Sequence, residues 1–399
     1  MMRVLSVLHF PVFGGPHNRN ARIGSLLKKE NVETILLLPD DALQAAARVE
    51  AAGTETVCIP LARLRKTLRP GEHLRLMQSF GQNIKDIRSI IRERSVDVVV
   101  VNGLMNPHAA IAAKREKVAV VWQILDTAPP PMVRRFMRPI LTRYADVIMC
   151  TGTKVAEDHL GTDKPRQPVV LFNPPVDIHR FTPAMTIRTA MRQELGFGDE
   201  NLVIGNVANV NPMKGHGTFI RAAAKVKSRY THAVFVIFGQ TYTNHAEYVR
   251  QLTTEAKALG LELGKDLKIV NPDERVAELA QALDIYWHTS EPRSEGISTA
   301  VEEAMALGLP VISTETGSMA EIVQHGVSGF MVAPYDTDAI CQHTIELAEN
   351  KELRQSFGTA ARQFALEHFA TERCALAHFS AYRAALGDAD ALSEVSTWP

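Results

Sequence analysis

The chain has 399 residues, with 44 basic and 44 acidic side chains and no formal net charge. That length favours two domains over one, and no apolar run approaches the roughly 20 residues that cross a bilayer as a helix. The neutral total hides an asymmetry, about +9 through Arg180 and about −9 beyond it, and no nucleic-acid partner is expected. Cys58, Cys150, Cys341 and Cys374 are scattered and form no C-x-x-C. They read as reduced thiols of a cytosolic protein rather than metal ligands. The opening MMRVLSVLHFPVFGGP runs straight into a glycine turn, so it reads as a first strand and not as a signal peptide.

Residues 4–8 form that strand. A loop with Gly14 and Gly15 follows, then a helix over 19–29 and a strand over 34–38. Strand, glycine loop and helix make a Rossmann-like opening, although the full G-x-G-x-x-G pattern is absent and a tight turn explains the glycine pair equally well. A short strand at 57–59 precedes basic helical segments over 63–94. Strands over 97–101 and 118–125 come next. In open α/β sheets ligands sit beyond the carboxyl ends of the strands. Asn102, His108 and Asp126 are therefore cleft candidates, with Asn102 and His108 on the acceptor side; a helix start with no chemistry is the plainer reading of His108. Residues 132–144 make a basic amphipathic segment, with Arg134, Arg135, Arg138 and Arg143 among Met132, Phe136, Met137, Ile140 and Leu141. Strands at 145–150 and 169–172 close the first sheet. Prolines cluster over 174–183, as expected at a domain boundary, and the division is placed at 1–182 and 183–370.

The second half repeats the alternation. A strand at 202–207 leads into Asn209, Asn211, Pro212, Met213, Lys214 and Gly215, then a helix over 218–229. Strands at 233–238, 267–270 and 284–287 alternate with helices at 245–259 and 275–283. Residues 288–334 then read as loop, helix, strand, loop, helix. Ser298 and Thr299 are candidate N-caps, and Thr299 with Glu302 makes a capping box. Glu295 and Glu303 flank the helix start, and the backbone N–H groups from Gly296 through Ile297, Ser298 and Thr299 point out of a helix end suited to phosphate. Carboxylates for hydroxyls beside an anion cradle suit a nucleotide sugar. Helices over 337–349, 351–369 and 371–386 finish the chain. Asp388 and Asp390 form a D-x-D in a polar tail and are not read as a metal site.

The run Glu295-Gly296, Glu303 to Ala306, Gly308 to Ile312, Gly317, Glu321 to Val323, Gly326, Gly329 and Phe330 resembles the Glu-x7-Glu signature of retaining GT-B glycosyltransferases in the large family numbered four. Lys214-Gly215 resembles that family's diphosphate-binding pair, and residues 173–183 its interdomain turn. The resemblance implies an α/β, GT-B fold, two Rossmann-like domains facing a central cleft, with the last helix, 371–386, packed back on the first domain. It implies that Glu303 takes ribose hydroxyls, that Glu295 takes donor-sugar hydroxyls, and that Lys214 with the amides near Ser298 and Thr299 holds the diphosphate. Asp126 joins Glu295 as a catalytic carboxylate, and Gly14 and Gly15 lie at the cleft as donor-binding residues that also approach the acceptor. No cofactor or metal is expected, only a nucleoside diphosphate sugar as co-substrate.

Several positions depart from the family pattern. Strand 118–125 ends without the usual His, Asn209 stands where an Arg is expected, Pro174 replaces a Gly, and Ser298 and Ser318 each replace a Gly. Arg293 is a candidate replacement for the charge lost at Asn209; pairing with Glu291 on the surface is its plainer reading. The base is expected near residues 270–276. The expected activity is transfer of a sugar to a hydroxyl acceptor, of the kind that builds polysaccharide, lipopolysaccharide or glycolipid. The protein is expected in the cytoplasm, with the basic first domain near an anionic membrane surface or a lipid-linked acceptor; Arg134, Arg135, Arg138, Phe136 and Met137 are the candidate contacts, and Arg63 to Arg69 the next. Two rivals stay open: a non-catalytic GT-B relative that binds nucleotide sugar or a partner enzyme, and a nucleotide-sugar epimerase of GT-B architecture.

Overall fold

The computed structural model describes residues 1–61, 70–161, 165–292 and 295–398. The chain forms two compact units, Met1–Pro175 with Thr371–Pro399, and Val176–Ala370.

The first unit is built on β1 (Met2–Val7), β2 (Val32–Pro39), β3 (Glu55–Ile59), β4 (Val98–Asn102), β5 (Ala119–Ile124), β6 (Val147–Cys150) and β7 (Val169–Leu171). Among the described residues these strands pair in the order β3-β2-β1-β4-β5-β6-β7, all parallel. A parallel sheet covered on both faces needs apolar residues at every position, which explains the four successive valines of β4. Val99 and Val101 join the core of one face, against Ile87, Ala109 and Leu141. Val98 and Val100 join the other, against Ile23 and Leu27 of the helix Gly15–Lys29 and Ala377, Ala381 and Tyr382 of the helix Thr371–Ala385.

The second unit carries β8 (Leu202–Val207), β9 (Ala233–Phe238), β10 (Leu267–Val270), β11 (Ile285–His288), β12 (Val311–Thr314) and β13 (Gly329–Val332), in the order β10-β9-β8-β11-β12-β13 and again parallel. Its two cores lie on opposite faces, around Val203, Val236 and Tyr286 on one side and Ile204, Phe235 and Trp287 on the other. The boundary falls at Pro175 rather than after Thr182, because Phe181 is buried in the second unit's core and the Val176 amide donates to the Phe369 carbonyl.

Both sheets reverse strand order once, between β1 and β4 and between β8 and β11. The carboxyl ends at such a reversal splay the connecting loops apart and leave a crevice. The helices Leu43–Ala51, Thr153–Leu160 and Met185–Glu194 and the strand β13 add to the elements read from sequence, and His108 does stand at a helix start, in the first turn of Pro107–Arg115. The helix expected over 275–283 is the short Val276–Leu279 followed by a 3-10 turn, Ala280–Ala282. No helix among the described residues is long and apolar enough to cross a membrane.

Candidate active site

In the second unit the loops after β8 and β11, the two strands that flank the reversal, are stitched together. Asn211 caps the 3-10 turn Pro212–Lys214 by accepting from the Met213 amide at 3.0 Å. The Glu291 amide donates to the Met213 carbonyl at 2.9 Å, and Thr289 Oγ1 donates to the Lys214 carbonyl at 3.3 Å. Gly215, at φ 66°, lets the strands come this close: a Cβ there would fall 1.8 Å from the Thr289 carbonyl oxygen. The result points Lys214 Nζ at Glu295 Oε1 in an ion pair. Ser290 Oγ donates to the same oxygen at 3.0 Å, and His288 Nε2 lies 3.7 Å from it.

Glu295 is only 8% exposed. Burial by itself pushes its carboxyl up, but the Lys214 charge, the nearness of His288 and the Lys214 hydrogen bond outweigh burial and hold it well below the usual carboxylate range. Tyr286 reaches the same place from β11. Its hydroxyl accepts from the Val207 amide at 3.2 Å, and burial, with the charges of Glu303 and Glu295, pushes the phenol up so that it stays neutral. Asn206, Val207, Ala208, Lys214, Tyr286, His288, Thr289, Ser290, Glu295 and Ser298 line one small concavity. Sequence reasoning missed Tyr286, His288 and Ser290. Their alternation along one extended stretch into Glu295 was the available signal.

Gly296 and Ile297 are buried between Glu295 and the helix Thr299–Ala306. Ser298 is its N-cap but makes no side-chain cap hydrogen bond, so the capping box expected of Thr299 and Glu302 does not form; Glu302 is fully buried instead. The ladder begins with the Val301 and Glu302 amides on the Ser298 carbonyl, which leaves the Thr299 and Ala300 amides ahead of it at the helix mouth. The Ser298 amide faces Met319 Sδ at 3.5 Å, a weak acceptor. Glu303, one turn in, is half-buried. Asn209 is exposed just past β8. Arg293 lies outside the described residues.

In the first unit the glycine loop is pinned by a residue the sequence reading overlooked. The Gly14 amide donates to His17 Nδ1 at 3.3 Å, and His17 Nε2 donates to the Phe10 carbonyl at 3.1 Å. Burial draws this imidazole down to about 4, so it is neutral, as that bonding requires. Gly15 opens the helix, with open space where its Cβ would be. Asn102 is a framework residue rather than an acceptor contact. It is fully buried, its amide donates to Ser6 Oγ at 2.9 Å, and its oxygen accepts from Arg19, which also reaches Gln123. His108 is likewise buried in the first turn of the helix Pro107–Arg115, edge-on to Phe80, and pulled down to about 4 by burial and by His9. Asp126 is half-buried just past β5 and accepts from the Ala128 amide at 2.9 Å. Asp388 of the D-x-D caps the turn Ala389–Leu392 and pairs with Arg383, so its carboxylate is occupied.

Residues 187–364 match the family described as Glycosyl transferases group 1, and residues 14–175 match the Glycosyl transferase 4-like domain. The chain belongs to the group 1 glycosyl transferases. The two matches divide where the two units divide, and the first covers every residue of the Lys214–Glu295 site. N-acetyl-alpha-D-glucosaminyl L-malate synthase of Bacillus anthracis is 27% identical over 46% of this chain and 46% of its own. A GDP-mannose-dependent alpha-(1-6)-phosphatidylinositol monomannoside mannosyltransferase of Mycolicibacterium smegmatis is 26% identical over 67% of this chain and 69% of its own. The chain thus spans about half the length of the first of these relatives. Among solved structures, Anabaena HepE in complex with UDP-glucose superposes with a TM-score of 0.79 at 19% identity, covering 94% of this chain and 97% of that one. At that identity the likeness establishes the GT-B fold.

Proposed function

We propose that this group 1 glycosyl transferase moves a sugar, with retention at the anomeric carbon, from a nucleoside diphosphate sugar to a hydroxyl acceptor. The observation that carries the reading is the ion pair of half-buried Lys214 with buried Glu295 at the strand reversal of the second sheet. A cation and a carboxylate meet there beside a helix mouth with free-facing amides. In this reading Lys214 and the amides of Ser298 and Thr299 hold the diphosphate, and Asn209 lines its outer side. Gly296 and Ile297 shape the turn, Glu295 takes sugar hydroxyls and Glu303 takes the ribose. Gly14 and Gly15 approach the donor and the acceptor, and Asp126 is a second catalytic carboxylate. One relative is named as GDP-mannose-dependent and one solved neighbour is in complex with UDP-glucose, and the base is found by melting the protein against UDP, GDP and ADP. With the base known, Glu303→Gln should cost about 1.5–3 kcal/mol of nucleotide affinity, the range for hydrogen bonds to charged groups. Unchanged affinity in a folded variant removes Glu303 from the ribose. Release of nucleotide and a transferred sugar separates a transferase from a binder, and an interconverted nucleotide sugar would favour an epimerase.

The acceptor surface is proposed to meet anionic lipid. The helix Pro131–Tyr144 exposes Met132, at 85%, and Phe136, at 73%, on one stripe with Arg135, Pro139 and Arg143. Arg134 and Met137, expected from sequence to share that contact, are buried, and Arg134 is paired with Asp158 at 2.8 Å. Arg63 to Arg69, the next candidates, lie outside the described residues. Each exposed arginine near such a surface is worth about 1 kcal/mol. Arg135→Glu replaces one attraction by a repulsion, roughly 2 kcal/mol, or about thirty-fold in partitioning. Flotation with anionic and neutral vesicles checks it; equal partitioning onto both, or none onto either, counts against the surface.

A further inference from the structure

Between the end of the helix Gly15–Lys29, the helix Thr371–Ala385 and the turn Ala389–Leu392, the first unit carries a groove of about 350 Å³. Leu26, Leu376 and Phe379 supply its apolar lining and are only half-buried. Glu30, Glu372, Asp390 and Glu394 add carboxylates. All four residues are exposed, and none is in an ion pair among the described residues. Of the two cations in the lining, Arg383 is spent on Asp388, with Nε 2.8 Å from Oδ2, which leaves Lys29 against the four carboxylates. An apolar groove with an anionic rim suits an amphipathic helix that carries cations beside its apolar residues.

The helix Pro131–Tyr144 has that chemistry. Its exposed stripe sets Met132 and Phe136 beside Arg135 and Arg143, and neither arginine is in an ion pair among the described residues. It cannot reach the groove of its own chain. Met137 and Leu141 root it in the core on one face of the first sheet, whereas Leu27, Ala375 and Ala381 root the groove helices in the core on the other face. We propose that the stripe of one copy docks in the groove of a second copy of this chain. With stripe and groove on opposite faces of a sheet, two copies cannot make both contacts at once across a two-fold axis. The contact is therefore heterologous, and each pair keeps a free groove and a free stripe, so association runs on into a ring or a filament. One helix in one groove is a small interface, and its charges are exposed, so the association is weak and salt-sensitive. A docked stripe is covered, so docking and the lipid contact proposed above exclude each other on one helix.

Sedimentation velocity of the full chain over a concentration series, without nucleotide or lipid, tests the docking apart from both earlier readings. The wild type should self-associate at low salt and dissociate as salt rises. Two variants separate the halves of the contact: Glu30→Lys with Glu372→Lys in the groove, and Arg135→Glu with Arg143→Glu on the stripe. These positions are all exposed, and urea unfolding checks that the fold is kept. Each variant alone should lose about ten-fold or more in association constant, because like charges then face each other. Mixed together they should associate again, since the stripe of the groove variant and the groove of the stripe variant are both unaltered. If either fails to fold, Glu394→Lys and Phe136→Glu make an equivalent pair. A wild type that stays monomeric at every concentration, association that survives in either variant alone, or a mixture that stays monomeric overturns the docking.

Discussion

Replacing Lys214 by methionine is expected to lower folding stability by about 3 kcal/mol at neutral pH, the low end of the range for breaking a buried ion pair from one side. The low end applies because the lysine side chain is itself 27% exposed while that of Glu295 is 10% exposed. The loss comes from the partner left behind rather than from the attraction removed. The pH dependence follows from the sign of the shift. The folded Glu295 carboxyl lies below its ordinary value of 4.5, so its contribution is present above that value and is lost as pH falls through the folded one. In Lys214→Met the largest lowering influence is gone and burial remains, so the folded carboxyl moves up. The variant is then most destabilised near neutrality, and the gap to wild type closes as pH drops through the ordinary carboxylate range and the group protonates. Urea unfolding at a series of pH values measures this. Adding Glu295→Gln should restore most of the stability and none of the nucleotide affinity, because the amide needs no cation but the diphosphate still does. A single variant within about 1 kcal/mol of wild type at every pH would show that the pair does not hold the site together.

Gly317→Ala is expected to damage donor binding from the far side of the same loop. Gly317 sits at φ 52°, and a Cβ there would come 2.3 Å from the Gly296 carbonyl oxygen and 2.5 Å from that of Glu295. The left-handed backbone alone costs an alanine about 1–2 kcal/mol. The overlap adds to this because both obstructing atoms are main chain and cannot rotate away. Relief requires the Glu295–Gly296 peptide to move outward, which breaks the 2.8 Å hydrogen bond from the Ser318 amide to the Gly296 carbonyl, about another 1 kcal/mol. The same movement carries the Glu295 carboxylate away from Lys214 and His288. Nucleotide affinity should therefore fall at least ten-fold, about 1.4 kcal/mol, beyond the loss of stability seen in urea. A folded variant that binds within two-fold of wild type would show that Gly317 only turns the chain.

Much of this molecule was legible in one dimension. Short, valine-rich continuous apolar runs such as 98–101 and 233–238 read as strands covered on both faces, and their alternation with helical stretches implies parallel sheets. The order of residues from Glu295 to Phe330 pointed to a glycosyl transferase because each element of that motif is local: a carboxylate, a helix mouth, a glycine turn. Short elements escaped. Gly329–Val332 is four residues long and opens on glycine, and the alanine-rich Leu43–Ala51 has little apolar contrast to display a period.

The order of amino acids supplies the groups and their spacing along the chain. The tertiary structure decided which of them meet. Lys214 and Glu295 are 81 residues apart, and no local rule pairs them; they meet because β8 and β11 are neighbours at the reversal of the sheet. The same register brings His288 to the carboxylate, and in the first sheet the pairing of β1 with β4 puts Asn102 against Ser6 and Arg19, out of reach of solvent. Burial likewise divided the basic helix, sending Arg134 inward to Asp158 and leaving Arg135 outside. Charge and hydrogen-bonding capacity belong to residues one at a time, whereas desolvation and partner choice belong to surfaces that exist only once the strands are ordered in space.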